Sequence, residues 1–396
     1  MTTSSPSAAA PDIELPRGVE RLAIASLALA AFALNLNTLV LGALLPFLPA
    51  ELAAPGSGEK TLLAAAALAS GIGALVAGPF ADRLGRKRML VVGMLAFAVA
   101  SALHGLAESY VMLLVARTIS GAAVGVAYAC ASALAAEIVP YQRRGAAMGV
   151  FTAGMFLALP LGLPLAWWFA SVGHWPAIFW LQGAIGFLGA VGAMRFVPER
   201  RSSGRWVDPR DIVKQGPVLA ALVAVMLHNG SFFTTVQLSS RWLDRPALVP
   251  KDQQGWVWVW LGLCAAIGSF AFGRVADRIG KRNFVMLTST LLIACFLLIV
   301  RADTLATLAP LGIALALISS ARTGPLQALT SGLVPSYQLA TLMGVRAFMM
   351  QFGVFAFAQL VPTEGEGWFQ SVLYAAAGCQ LVSYLAIRFF VREGRS

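Results

Sequence analysis

The feature that most constrains this chain is a rhythm of twelve apolar stretches, each of roughly 20 residues and so long enough to cross about 30 Å of hydrocarbon, with short charged turns between them. They fall near residues 22–48, 61–81, 89–107, 110–136, 144–170 and 175–197, and then near 217–240, 254–275, 284–301, 305–333, 339–361 and 368–390. Only 12% of the residues are charged and 58% are hydrophobic, whereas soluble domains carry about a quarter charged residues. The pattern predicts an all-α polytopic membrane protein.

The turns repeat. Gly78-Pro79-Phe80-Ala81-Asp82-Arg83-Leu84-Gly85-Arg86-Lys87-Arg88 separates the second and third stretches, and Gly273-Arg274-Val275-Ala276-Asp277-Arg278-Ile279-Gly280-Lys281-Arg282 separates the eighth and ninth. Asp82 and Asp277 are 195 residues apart. A second landmark agrees: Val139-Pro140-Tyr141-Gln142 runs into Met148-Gly149-Val150, and Val334-Pro335-Ser336-Tyr337-Gln338 runs into Met343-Gly344-Val345, at the same offset. Two landmarks at one spacing predict a duplicated unit. We expect a disordered tail over 1–16, a six-helix half over 17–197, a linker over 198–215 and a second six-helix half over 216–396. Parallel halves place a ligand site at their interface, near the bilayer midplane.

Charge sets the orientation. Of the 29 lysines and arginines, three arginines fall inside helices, and only Lys60, Arg241, Arg245, Lys251 and Arg301 lie on one side of the membrane. The rest collect on the side of both termini, which the positive-inside bias makes cytoplasmic. The net charge of +11 is therefore a topology signal of short clusters, and no nucleic-acid partner is implied. Cys130, Cys264, Cys295 and Cys379 all lie in apolar runs with no paired spacing, which predicts core packing rather than a metal site or a loop disulfide. The first 16 residues lack the basic start and apolar stretch of a signal peptide. Trp167, Trp168, Trp256, Trp258 and Trp260 fit interfacial belts.

The repeated glycine, Asp-Arg, Gly, basic-basic turn resembles the signature of the major facilitator superfamily, and the resemblance covers essentially the whole chain. It implies two pseudo-symmetric six-helix halves and a conformational latch on the cytoplasmic side that favours the outward-open state. Gly78 and Gly273 would let helices approach, while Asp82 and Asp277 would sit at the positive N-terminal ends of the eleventh or fifth helix. Latch residues carried over are Gly78, Asp82, Arg83, Gly85, Arg86, Asp277, Arg278 and Gly280, joined by Glu137, Arg143, Arg144 and Arg346. Arg143 and Arg144 offer basic partners to Asp277, whereas Asp82 has mainly a helix N-terminus, so Asp277→Asn is expected to disturb the state balance more than Asp82→Asn.

Two further segments extend the resemblance. Leu113 to Gly121, with Arg117 and with Ser120 where glutamine is usual, is similar to an element of proton-coupled members. Arg117 shares a face with Gly121, Val124 and Tyr128, which leaves open a cavity role or snorkelling to the outer interface. Gly145, Gly154 and Pro160-Leu161-Gly162 resemble the glycine–proline element of drug and sugar (arabinose-efflux-like) antiporters, with the proline displaced. A kinked packing helix is the alternative.

None of the 18 carboxylates lies in the middle of an apolar stretch, and the first helix has Asn35 and Asn37 where coupled relatives often place an aspartate. The interior holds cations instead. Arg322 falls at mid-depth in the tenth helix beside Thr323-Gly324-Pro325, where an arginine next to a helix break can anchor a carboxylate, phosphate or sugar, or else be structural. His228 lies at mid-depth in the seventh helix with Ser231, Thr235 and Ser239 on its face, and His228-Asn229-Gly230 reads as a discontinuous cavity segment. Its reference pKa near 6.5 makes it the candidate proton carrier, with Arg117 beside it in the coupling role.

These readings converge on a secondary active transporter of the bacterial cytoplasmic membrane, a monomer without cofactor or metal, that exports a small organic solute by alternating access linked to H+. Candidate solute contacts are Arg322, His228, Asn35, Asn37, Tyr128, Ser231 and Thr235. Uptake or exchange of an organic anion held by the cavity arginines is a second reading, and a non-transporting sensor or assembly protein a third. Enzyme motifs such as His-Glu-x-x-His, Gly-x-Ser-x-Gly or a phosphate loop do not occur.

Overall fold

The computed structural model describes residues 16–44, 52, 58–199, 204–243, 254–302, 304–361 and 367–393. The expected disordered tail, up to residue 15, lies outside them. So do Asp244, Arg245, Lys251, Asp303, Glu364 and Glu366, and the side chains of Lys60 and Arg241.

The helices are α1 (Arg17–Leu44), α2 (Gly58–Leu84), α3 (Arg86–Gly105), α4 (Tyr110–Glu137), α5 (Arg144–Phe156), α6 (Leu163–Ser171), α7 (Ala177–Phe196), α8 (Pro209–Val213), α9 (Gly216–Leu243), α10 (Gln254–Ile279), α11 (Lys281–Ile299), α12 (Leu305–Ser331), α13 (Leu339–Leu360) and α14 (Trp368–Phe390). With α5 and α6 counted as one span, twelve helices among the described residues are long and apolar enough to cross a membrane. The segment expected as a linker contains α8, started by an Asp208 side chain that accepts the Arg210 amide and by Pro209 in the first turn.

Boundaries follow local chemistry. Ser109 caps α4 by accepting the Met112 amide at 3.3 Å, and Thr304 and Thr307 form a reciprocal cap at α12. Gly85 and Gly280, at φ +110° and +89°, are the single residues between α2 and α3 and between α10 and α11. Only glycine takes that backbone without strain, so each signature turn reverses the chain in one residue. Within the fifth span, Ala158–Gly162 form a widened π turn. Pro160 has no amide hydrogen to give the regular ladder, and the wider turn absorbs that loss.

Packing repeats the duplication. In the first half α2 and α3 lie on α4, α3 and α1 lie on α7, and α1 lies on α5; in the second, α10 and α11 lie on α12, α11 and α9 lie on α14, and α9 lies on α13. Each pair is the other shifted by one repeat. The halves meet through α2 against α13 and α5 against α10, with α4 against α13 and α12 against α5 behind them. At the first crossing a Cβ on Gly78 would come 2.7 Å from Thr341 Cα, and at its mirror a Cβ on Gly273 would come 2.5 Å from the Gly145 carbonyl oxygen. Lipid is as apolar as leucine, so such backbone-to-backbone contact replaces the hydrophobic effect as the force between spans. Large apolar side chains such as Trp168, Trp256, Trp260 and Phe389 are exposed on the outside, as a lipid-facing surface requires.

Candidate functional site

At the face that carries the signature turns, both aspartates reach across to the opposite half. Asp82 accepts the Ala340 amide at 3.1 Å, the Thr341 amide at 2.8 Å and the Thr341 hydroxyl at 2.7 Å, all from the first turn of α13. Asp277 accepts the Gly145 and Ala146 amides, at 2.9 and 2.8 Å, from the first turn of α5. One repeat separates Gly145 and Ala146 from Ala340 and Thr341, so the two contacts are copies of a single device. A carboxylate at a helix start satisfies amides that the helix itself cannot bond and meets the positive end of its dipole.

Around Asp82 the device is extended. Arg86 donates to Asp82 at 2.8 Å and to Glu137 Oε2 at 2.6 Å, and it also reaches the Ser336 carbonyl of the other half. Asp277 is bound differently from the expectation. Its ion-pair partner is Lys281, at 3.0 Å on its own helix, rather than Arg143 or Arg144. Arg143 makes a paired contact with Glu20 of α1, and Arg144 reaches Ser331 and the Tyr141 ring. The reason is geometric: the two arginines stand at the start of α5, where its amides already fill the carboxylate, and Lys281 sits one turn from Asp277. The Asp82 side chain is fully buried and that of Asp277 12% exposed, which reverses the expected ranking of the two. Arg83 and Arg278 lie on the exposed side of the turns.

The predicted solute contacts do not form one group. Asn37, Arg117 and Ser120 make a polar core inside the first half, where Arg117 donates to the Asn37 carbonyl at 2.8 Å and Asn37 donates to Gln182 of α7 at 3.3 Å. Asn35 ties α1 to the Met155 carbonyl at 2.8 Å. Arg117 is 1% exposed, so the snorkelling expected as one option does not occur.

Arg322, expected to face the interface between halves, is turned into its own half. It donates to Gln380 at 2.5 Å and to Ser383 at 2.6 Å, both on α14. Gln380 in turn donates to Ser231 at 2.7 Å and stands 3.4 Å from His228 Nδ1, while Ser319 is 3.5 Å from His228 Nε2. Nor is α9 interrupted at His228-Asn229-Gly230. Asn229 bonds back to the Val225 carbonyl at 2.9 Å, and Gly230 admits the Gly353 carbonyl of α13. Thr235 is buried with its hydroxyl unpartnered.

Arg346, on α13, is 1% exposed and lies where that helix crosses α4. Its guanidinium meets the Tyr128 hydroxyl of the other half and donates to Met350 Sδ at 3.3 Å, while Arg346 Nε and Tyr128 Oη are buried without a well-aligned hydrogen bond. Gln380 joins Arg322 to His228, accepting from the guanidinium at 2.5 Å and standing 3.4 Å from the imidazole. Among the described residues none of Arg117, Arg322 and Arg346 has a carboxylate within ion-pair distance.

Sequence reasoning missed Gln182, Gln380 and Ser383, which hold the buried arginines, and Gln327, fully buried on α12 with neither amide atom partnered. It also missed His104, a second buried imidazole, which donates to the Ala100 carbonyl and stacks on Phe179. Glutamines inside apolar stretches were the available signal. Among the described residues no group of side chains could hold a metal ion, and all four cysteines are free.

Two parallel repeats that meet at a pair of symmetry-related polar crossings define a two-half polytopic membrane protein. Family comparison gives the class its name: the model of the Major Facilitator Superfamily matches residues 27–243. The chain belongs to that superfamily. Its relatives include the uncharacterized MFS-type transporter YtbD of Bacillus subtilis, 25% identical over 65% of each chain, and a "probable sugar efflux transporter" of Helicobacter pylori, 23% identical over 68% of this chain and 70% of that one. A "probable 4-methylmuconolactone transporter" of Cupriavidus pinatubonensis is 36% identical over 29% of this chain and 28% of its own. The match spans 65% of YtbD and 52% of a second B. subtilis relative, YfhI. The crystal structure of the human organic anion transporter MFSD10 shares the fold, with a TM-score of 0.77, 18% identity and coverage of 94% of this chain and all of that one. The superfamily and these relatives are transporters, which are not enzymes.

Proposed function

We propose that this protein moves a small organic solute across a bacterial cytoplasmic membrane by alternating access, with both termini cytoplasmic and export linked to proton entry. The observation that carries the reading is the duplicated crossing itself. Asp82 on α13 and Asp277 on α5 tie the halves together on the face of the signature turns, through contacts that a rocking motion would break together. With that face cytoplasmic, the conformation is the one closed toward the cytoplasm.

Export draws support from the glycine–proline element of the fifth span, whose π turn packs Leu159 and Pro160 against Gly262 of α10, and from the efflux description of the H. pylori relative. For the proton we assign His228, which joins α9 to α12 and α14. The test is solute flux in proteoliposomes under an imposed pH gradient. Flux that follows the gradient in the wild type and is lost in His228→Gln supports the reading; flux indifferent to the gradient removes proton linkage, and binding without flux favours a sensor.

A further inference from the structure

Taking the transporter reading as its basis, we propose that Arg346 and Tyr128 form a carboxylate clamp split across the two halves, and that the solute is an organic anion bound there.

Three guanidiniums are fully buried, and they differ in how their hydrogen bonds are spent. Arg322 has two strong acceptors on α14, and Arg117 has the Asn37 carbonyl and side chain. In both cases the partners belong to the same half as the arginine, so these groups hold their own bundles together. Arg346 has a thioether sulfur of its own helix, a weak acceptor, and the neutral Tyr128 hydroxyl of the other half, with no carbonyl or amide oxygen. A cation at bilayer depth with so little compensation is costly, and such a group is by default functional. Nε is unpartnered in all three arginines, but only in Arg346 is the rest of the fork also without a strong acceptor, which leaves it free for the paired, two-bond geometry arginine makes with a carboxylate.

Tyr128 supplies the complement. Its hydroxyl is buried without a well-aligned hydrogen bond, meets the guanidinium across the α4–α13 contact, and comes from the other half, with the ring held against Phe151 at 5.8 Å. A carboxylate taking two N–H groups from Arg346 would take the O–H as a third. Depth fits as well. Arg346 is five residues beyond Thr341, which Asp82 holds, or about 8 Å along α13 from that contact. Tyr128 is nine residues before Glu137, the end of α4, or about 13 Å, so the pair sits just inside the latch. An anion held by both halves would draw them together on that side, and neutral or cationic solutes would leave the guanidinium uncompensated.

The test uses the full-length protein in lipid nanodiscs and a panel of aliphatic and aromatic monocarboxylates, each paired with its uncharged amide. The readout is the shift in thermal unfolding midpoint against concentration. Carboxylates are expected to bind and their amides not. Arg346→Gln should weaken carboxylate binding by roughly 10- to 100-fold, the scale of lost charged hydrogen bonds, Tyr128→Phe by up to about 10-fold, and Arg346→Lys should keep part of the affinity. Arg322→Gln should leave the preference for carboxylate over amide intact.

A panel in which no carboxylate exceeds its amide overturns the clamp, as does binding that is equal in wild type and Arg346→Gln. The transporter reading is tested separately by maleimide labelling of a cysteine placed at Ser331, on the latch face. Carboxylate binding without any change in that labelling sinks alternating access and leaves the clamp standing. Labelling that responds to Asp82→Asn while the panel fails does the reverse.

Discussion

Single residues divide into those whose charge is balanced and those whose charge is not, and opposite consequences follow. Asp82 takes three donors from α13 and one guanidinium, with no exposure; Asp277 takes two amides and a lysine, with some. Each charged hydrogen bond contributes about 1.5–3 kcal/mol, so Asp82→Asn is expected to shift the closed-to-open balance by roughly 10-fold or more, and Asp277→Asn by less. Labelling at Ser331 measures both; an equal shift would contradict the ranking. The arginines give a sign difference. Arg322→Met leaves Gln380 and Ser383 without donors and should lower the unfolding midpoint, because removing one partner of a buried pair costs about 1–3 kcal/mol for each orphan. Arg346→Met removes a charge that has almost no partner, so the midpoint should hold or rise.

Whole helices show what a sequence can reveal and what it cannot. Span number, the repeat and the one-residue turns were legible because each rests on local rules: apolar length, the charged turn, and the glycine needed at Gly85 and Gly280. The site was less legible, because depth along a helix is local and azimuth is not. Arg322 was expected at the interface between halves and faces its own half instead, since only the packing of α12 on α11 and α11 on α14 decides that it meets Gln380 and Ser383. His228-Asn229-Gly230 looked like a break because Asn and Gly are poor helix formers, yet the glycine is there to admit α13. The same close approach at the crossings makes an element-scale prediction. Gly78→Val and Gly273→Val each insert bulk where a single Cβ already meets backbone, so each should hold α2 from α13 or α10 from α5. The helices themselves should survive, because helical content by circular dichroism depends on each span's own ladder, while labelling at Ser331 should rise.

At the scale of the molecule the latch, the chain ends and the clamp are one geometric statement. An even number of spans returns the chain to the side it left, so α1 begins and α14 ends on the same face, and that face carries both signature turns. There Glu393, just beyond α14, accepts the Lys281 and Arg282 amides at the start of α11, at 3.1 and 3.0 Å, and stands 3.3 Å from the Tyr141 hydroxyl of the first half. The segment just beyond α14 is thereby tied to the same seam as Asp277. Basic residues concentrate on this face, and cytoplasmic loops are where lysine and arginine accumulate. Reporter fusions after Glu393 should therefore read as cytoplasmic, and a fusion in the loop near Glu108, between α3 and α4, as external. If the two reports were exchanged, the face closed by Asp82 and Asp277 would be the outer one, and Arg346 and Tyr128 would be reached from the cytoplasm instead.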